Sequence, residues 1–308
     1  MSDLEATELT ILSPGIQTTI QDPGRSGHEA SGVPAGGAMD LESAIAANRI
    51  VGNRDDDPVL EFTLMGPSIR FSNSTHIAIT GADLSPTIDS VDVPLWQRLS
   101  VSEGVELRFG KRVGGCRGYL AIAGRIDVPS WLGSVSASTQ IAATFTPDSI
   151  VLKNKAIRVQ QSGLIKLNPR AFSKRDSLTP AEPISIFPGP EFDAFSAAEQ
   201  SAMESSFTID ASSNRMGYRL QQSISSTSSV SGADSEFSKP ARQVWRQGII
   251  SSSVFPGVIQ VPPSGQPIVL MRDCQTSGGY SRIAVVDSNH LDALAQLAPG
   301  DQVTFRWV

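Results

Sequence analysis

With 308 residues, the chain is long enough for two domains or one large β fold. Hydrophobic residues make up 40% of it, enough to bury a core, so disorder along the whole length is excluded. Its 25 basic residues stand against 31 acidic ones, a formal charge of -6, and a chain so short of basic surface is not built to neutralise nucleic-acid phosphates. The opening stretch Met1–Glu8 is acidic and lacks the apolar core of a secretory signal. No apolar run is long enough to span a bilayer, so a cytoplasmic protein without a membrane partner is expected. Cys116 and Cys274 form no CxxC and are expected to be reduced thiols. His28, His76 and His290 lack metal-ligand spacing, and no metal site is expected.

In chain order, most segments punctuate like β structure, with 26 glycines and 20 prolines between short apolar runs. Leu9–Leu12, Ile77–Thr80 and Val105–Phe109 read as strands in the first half, and Ile184–Phe187, Pro267–Leu270 and Val303–Trp307 in the second. Val105, Leu107 and Phe109 alternate onto one face, as do Val303, Phe305 and Trp307. Helices are few. One is expected over Asp40–Val51, with Asp40 as N-cap, Leu41, Ala44, Ile45 and Val51 on its stripe, and Gly52-Asn53 as the stop. Asp193–Met203 and Ser288–Leu297 read as two more, the last with Leu291, Leu294 and Ala295 inward and Pro299-Gly300 ending it. The polar, Pro-containing stretch Asn168–Pro183 marks a boundary, giving an N-terminal domain over 1–175 and a C-terminal domain over 176–308. A faint echo relates Glu103–Phe109 to Pro299–Phe305 and Gly118–Ala123 to Gly279–Ala284, although shared turn chemistry is a competing explanation. Gln221–Ser238, rich in serine, reads as a mobile surface loop or a linker.

Three constellations carry possible chemistry. In Thr18–Gly27, Pro23-Gly24 suits a type II turn that brings Asp22 and Arg25 close together. Arg25 offers a planar fork for a carboxylate, carbamate or phosphate. Gly36-Gly37, just before a helix N-terminus, lets the backbone approach an anion. A structural Asp–Arg pair bracing a long loop is the competing reading. In Asn214–Arg219, Arg215 and Arg219 share a strand face with Tyr218 opposite, which suits a small anion or a solvated strand face. In the third, Pro262-Pro263-Ser264-Gly265 is a turn between two strands. Gln260 and Gln275 each offer donors and an acceptor for an amide or ureido group, and Tyr280 follows Gly278-Gly279. Buried structural glutamines compete with that reading. No Ser-His-Asp set, Walker A sequence or post-strand GxGxxG is present. An enzymatic role would therefore work by orienting charged substrates.

Taken in order, Thr19-Ile20-Gln21-Asp22 with Gly24-Arg25, Gly32-Val33-Pro34, Arg215-Met216-Gly217-Tyr218-Arg219, Gln260-Val261-Pro262-Pro263 and Gln275-Thr276 with Gly278-Gly279-Tyr280 resemble the biotin-dependent carboxyltransferase-like family. That family includes the C-type subunit of 5-oxoprolinase, allophanate hydrolase subunit 2 and an antagonist of a histidine-kinase inhibitor. The resemblance implies a mainly β fold of two cyclophilin-like β-barrel units with a few short helices. It implies a small-molecule substrate and a partner of the allophanate hydrolase subunit 1 type (the B-type subunit of 5-oxoprolinase), with the A-type subunit of that enzyme as a further candidate. It implies a hydrolase subunit of an ATP-dependent 5-oxoprolinase-type complex, with ATP and Mg at the complex. There the lactam carbonyl would be activated by phosphorylation and the ring then hydrolysed. The alternatives are the carboxyltransferase half of a urea or amide carboxylase and a non-enzymatic regulator that binds a kinase-inhibitor homologue. In the carboxylase case biotin would sit on a carrier protein, since none of the six methionines precedes a lysine. Carried over by resemblance, Asp22, Arg25 and Asp40 are catalytic candidates, and Arg215, Tyr218, Gln260, Gln275 and Tyr280 are substrate-binding candidates.

The chain also departs from the family pattern. A Gly-Ser-Arg-Ser-Thr run is here Gly133-Ser134-Val135-Ser136-Ala137-Ser138-Thr139, without the arginine. A glycine-rich stretch is replaced by Gln140–Asp148, including Pro147. Gly124-Arg125 stands for Gly-Gly, and Ser252 and Ser253 for an acidic residue and a glycine. Lost glycines would reshape loops wherever a positive φ is required.

Overall fold

The structure is a computed structural model that describes residues 6–160, 180, 182–222 and 248–308. It is mainly β with few short helices. By its contacts the chain divides into two compact units, one from Met1–Arg25 and Gly36–Leu178, the other from Ser26–Ala35 and Thr179–Val308. Most of the expected boundary at Asn168–Pro183 lies outside the described residues, as does all but the start of Gln221–Ser238.

The first unit is two sheets around one core. One has seven strands, in the order Arg125–Ile126, Ala156–Gln160, Thr7–Ser13, Ser68–Phe71, Glu106–Arg108, Thr87–Ile88 and Val91–Asp92. The other has five, in the order Gln17–Gln21, Val59–Thr63, Gly114–Ile122, Thr75–Asp83 and Arg98–Val101. Strand alternation sends Leu9, Ile11, Ile69, Phe71 and Leu107 of the first sheet into a core shared with Ile20, Leu60, Phe62, Ile77, Ile79 and Leu120 of the second. Val105 and Phe109 pack against that core with Leu107, as their alternation requires.

The opposite face of the five-stranded sheet carries the helix Leu41–Val51 over Val59, Ala78, Tyr119 and Ala121. Asp40 caps it, Oδ1 accepting from Ser43 N at 3.0 Å, and Gly52 ends it at φ +90°. The buried stripe differs from the expected one. Ala44, Ala47, Ile50 and Val51 are inward and Ile45 is only half-buried. Small alanines face the sheet and let the helix sit close to it.

The second unit is a closed barrel of seven strands, in the order Ile184–Pro188, Ser281–Val286, Val258–Val261, Ile268–Leu270, Gly217–Gln222, Ser206–Ile209 and Gln302–Trp307. Ile184–Pro188 and Gln302–Trp307 run parallel, and every other neighbour pair is antiparallel. Closure leaves no sheet edge, and Tyr218, Phe207, Val269, Ile259 and Phe305 fill the interior. Pro262–Gly265 forms the expected turn between two of its strands, Gly265 N donating to Pro262 O at 2.8 Å. A short ribbon pairs Ser252–Ser253 with Ser277–Gly278. The helix expected over Asp193–Met203 is shorter, Ala197–Ala202, because Ser196 and Glu199 form a capping box that starts it. The one expected over Ser288–Leu297 is a 3-10 turn, Ser288–His290, followed by Leu291–Leu294. Among the described residues, no helix is long and apolar enough to cross a membrane.

Candidate functional site

Each unit holds a polar centre. In the first, Asp22 follows the strand Gln17–Gln21 and turns its carboxylate into the protein. Oδ1 accepts from Ser134 Oγ and Ser136 Oγ, each at 2.6 Å, and from Gly24 N at 2.8 Å. Oδ2 accepts from Val135 N at 2.8 Å. Gly24 takes φ +97°, as the centre of a type II turn requires. Arg25 is 2% exposed and donates to Ser136 O at 2.5 Å and to Trp131 O at 3.4 Å. Its guanidinium lies 5.5 Å from the Trp131 ring, which stacks on Phe145 at 4.2 Å. Asp22 and Arg25 thus converge on one segment, Ser134–Ser136.

Gly36 and Gly37 serve the same packing. A Cβ at Gly37 would stand 2.7 Å from Pro23 O, and one at Gly36 would stand 3.4 Å from Arg25 Nη1. The close approach that the glycine pair permits is to the chain's own Pro23 and Arg25. Beside them, Gln21 Nε2 donates to Ala137 O at 2.8 Å, while Gln21 Oε1 and Ser138 Oγ are buried with no hydrogen-bond partner among the described residues.

Asp40 belongs to a separate network. Its N–H donates to Tyr119 Oη at 2.8 Å, and Tyr119 Oη donates to Glu61 Oε2 at 2.9 Å, which also accepts from Met39 N at 2.7 Å. Register explains this: Thr19, Glu61, Tyr119 and Thr80 lie directly across from one another on adjacent strands, on the helix-facing side. Burial, then the Glu61 and Asp40 carboxylates, push the Tyr119 phenol well above its ordinary range. Sequence reasoning assigned no role to Glu61 or Tyr119. The signal was there, since Glu61 is a charged residue inside the otherwise apolar run Val59-Leu60-Glu61-Phe62.

In the second unit the expected strand face with two arginines is corrected. The strand begins at Gly217, so Arg215 precedes it. Arg215 is 2% exposed and makes a bidentate pair with Asp273, Nε to Oδ2 at 2.9 Å and Nη2 to Oδ1 at 2.8 Å. Tyr218 points into the core and donates to Ala295 O at 3.2 Å, so it is no exposed platform. Asp273 was missed because its partner lies 58 residues away.

The third constellation does assemble. Gln260 is 1% exposed, and its Oε1 accepts from Gln275 Nε2 at 3.4 Å. Its Nε2 donates to Tyr280 O at 3.3 Å. A Cβ at Gly278 would stand 2.8 Å from Gln260 Nε2, so glycine lets the backbone lie directly on that carboxamide. Gln275 is half-buried and Tyr280 is 44% exposed. Nearby, Arg282 pairs with Glu191 (2.6 Å) and donates to Ser253 O (2.9 Å), tying the ribbon to the barrel. That pairing holds the Glu191 carboxyl below its ordinary range.

None of the altered positions, Arg125, Val135, the run 140–148, Ser252 and Ser253, takes a positive φ. Gly124, which keeps its glycine, has φ +119°. Among the described residues, no three His, Cys, Asp or Glu side chains could hold a metal ion. Arg25 and Arg215, expected as anion ligands, are engaged by Ser136 and Asp273.

Residues 31–307 match the family described as carboxyltransferase domain, subdomain A and B. The chain is 35% identical to the C-type subunit of the 5-oxoprolinase of Escherichia coli K12, covering 96% of this chain and 90% of that protein. It is 33% identical to the urea amidolyase of Saccharomyces cerevisiae over 98% of this chain, but only 17% of that protein. The crystal structure of the Kluyveromyces lactis urea amidolyase superposes with a TM-score of 0.80 at 29% identity, covering 97% of this chain and 18% of that one.

Proposed function

We infer that this chain, which belongs to the carboxyltransferase domain family with subdomains A and B, is the C-type subunit of an ATP-dependent 5-oxoprolinase-type complex. It acts there with a B-type partner, of the allophanate hydrolase subunit 1 type, and with an A-type partner. Its 35% identity to a 5-oxoprolinase subunit, over 96% of this chain and 90% of that protein, favours this assignment. The observation that carries it is the Gln260–Gln275 pair beside Gly278 and the exposed Tyr280. A lactam presents one N–H and one C=O side by side. A glutamine carboxamide presents the matching acceptor and donor, and Gln260 holds Gln275 in place to offer them. Asp22, Arg25 and Asp40 act by shape: they hold the Ser134–Ser136 segment and the helix start, and the nucleotide is handled by the partner proteins.

The test is ATP hydrolysis by the assembled complex, with and without 5-oxoproline. Stimulation is expected, with Gln275→Ala raising the KM for 5-oxoproline by roughly tenfold or more. A stable complex without stimulation would sink the assignment. The likeness to urea amidolyase supports one second reading, in which the same glutamine pair reads urea or a related amide. Transfer from a carboxybiotin donor to urea, with no response to 5-oxoproline, would establish that reading instead.

A further inference from the structure

Arg215 and Asp273 are 2% and 0% exposed, and both were taken out of water to meet. Such pairs are often replaceable by apolar residues without loss of stability, so stability alone does not account for this one. Its consequence is geometric. Asp273 N donates to Arg215 O at 2.9 Å and Met271 N to Met216 O at 3.1 Å, so backbone bonds flank the ion pair. Cys274 N donates to Met271 O at 3.0 Å, closing a turn over 271–274. Gln275 leaves that turn, two residues after Asp273, and its carboxamide meets Gln260 at 3.4 Å.

We propose that the Arg215–Asp273 pair is a positioning clamp: it fixes the direction in which the chain leaves the 271–274 turn and so holds the Gln275 carboxamide against Gln260. A free glutamine side chain explores many rotamers, and ordering it in advance removes that cost from substrate binding. Arg215 and Asp273 are therefore positioning residues that need not touch substrate. The effect on catalysis rests on the lactam-binding reading above, whereas the effect on Gln275 does not.

The double variant Arg215→Met/Asp273→Met removes both charges of the pair together. The first measurement is 15N relaxation of the Gln275 side-chain amide in the isolated chain, assigned by its loss in Gln275→Ala. The amide is expected to be as ordered as backbone in the wild type and as mobile as an exposed glutamine in the double variant. The second is the KM of the assembled complex for 5-oxoproline, expected to rise about tenfold with kcat within about twofold. Should the double variant fail to fold, Asp273→Glu keeps both charges, lengthens the clamp, and is expected to mobilise Gln275 in the same way. An equally ordered Gln275 in the variant overturns the clamp. So does an unchanged KM in the variant when Gln275→Ala raises it. If Gln275→Ala itself leaves the KM unchanged, or the wild-type complex ignores 5-oxoproline, the substrate reading fails while the relaxation experiment still decides the clamp.

Discussion

At the scale of single residues, buried polar groups decide most of what is particular to this chain. Tyr119 Oη takes a hydrogen bond from Asp40 N and gives one to Glu61. Tyr119→Phe is expected to remove one hydrogen bond from each of these groups and to cost about 1–3 kcal/mol, measurable by urea denaturation. Because burial raises the folded-state pKa of this phenol, its contribution is complete below the ordinary tyrosine range and declines as pH rises above it. Glu191 behaves in the opposite sense. Its hydrogen bonds to Arg282 hold its pKa down, so its contribution is complete above the ordinary carboxylate range. It fades as pH falls toward the lowered value. The difference in stability between wild type and Glu191→Gln should therefore shrink on acidification from pH 7, and a constant difference would exclude this ion pair as its source.

At the scale of elements, caps and glycines set the boundaries. Asp40 accepts from Ser43 N and Ser43 Oγ at the start of the Leu41–Val51 helix. Asp40→Ala is expected to destabilise the chain by about 1–2 kcal/mol, seen as a lower denaturation midpoint at unchanged slope. Gly37 has φ +94° and no room for a Cβ against Pro23 O. Gly37→Ala should therefore both strain the backbone and push the Asp22–Arg25 corner away from Ser134–Ser136, lowering the melting temperature. The N-cap, the stop at Gly52 and the Pro262–Gly265 turn were legible in the sequence because each is a local rule. The helix's inward face was not, because its alanines pack on a sheet built from residues far along the chain.

At the scale of the whole molecule, each compact unit has one buried thiol, Cys116 in the first and Cys274 in the second. Burial, then the Asp273 charge, push the Cys274 thiol up to about 12, so at pH 8 it stays protonated. Neither cysteine is expected to react with a thiol reagent at pH 8 in the native protein, and both should react in urea. Each cysteine thus reports the opening of its own unit. Rapid native labelling of Cys274 would contradict the buried environment of the Arg215–Asp273 turn.

The sequence by itself determined the mainly β character, the strand alternation around Leu107 and Phe305, the Asp40 cap, and the family through its motifs. It did so because turn chemistry, period-two patterning and capping act within a few residues of one another. Only the tertiary structure decided what the charged and amide side chains do. Arg215 faces Asp273 across 58 residues, Asp22 grips serines more than a hundred residues away, and Gln260 meets Gln275 where two strands and a ribbon converge. A guanidinium or carboxylate has the same chemistry in every sequence. Whether it binds a ligand or its own chain depends on what folding brings within about 3 Å of it, which no local pattern encodes.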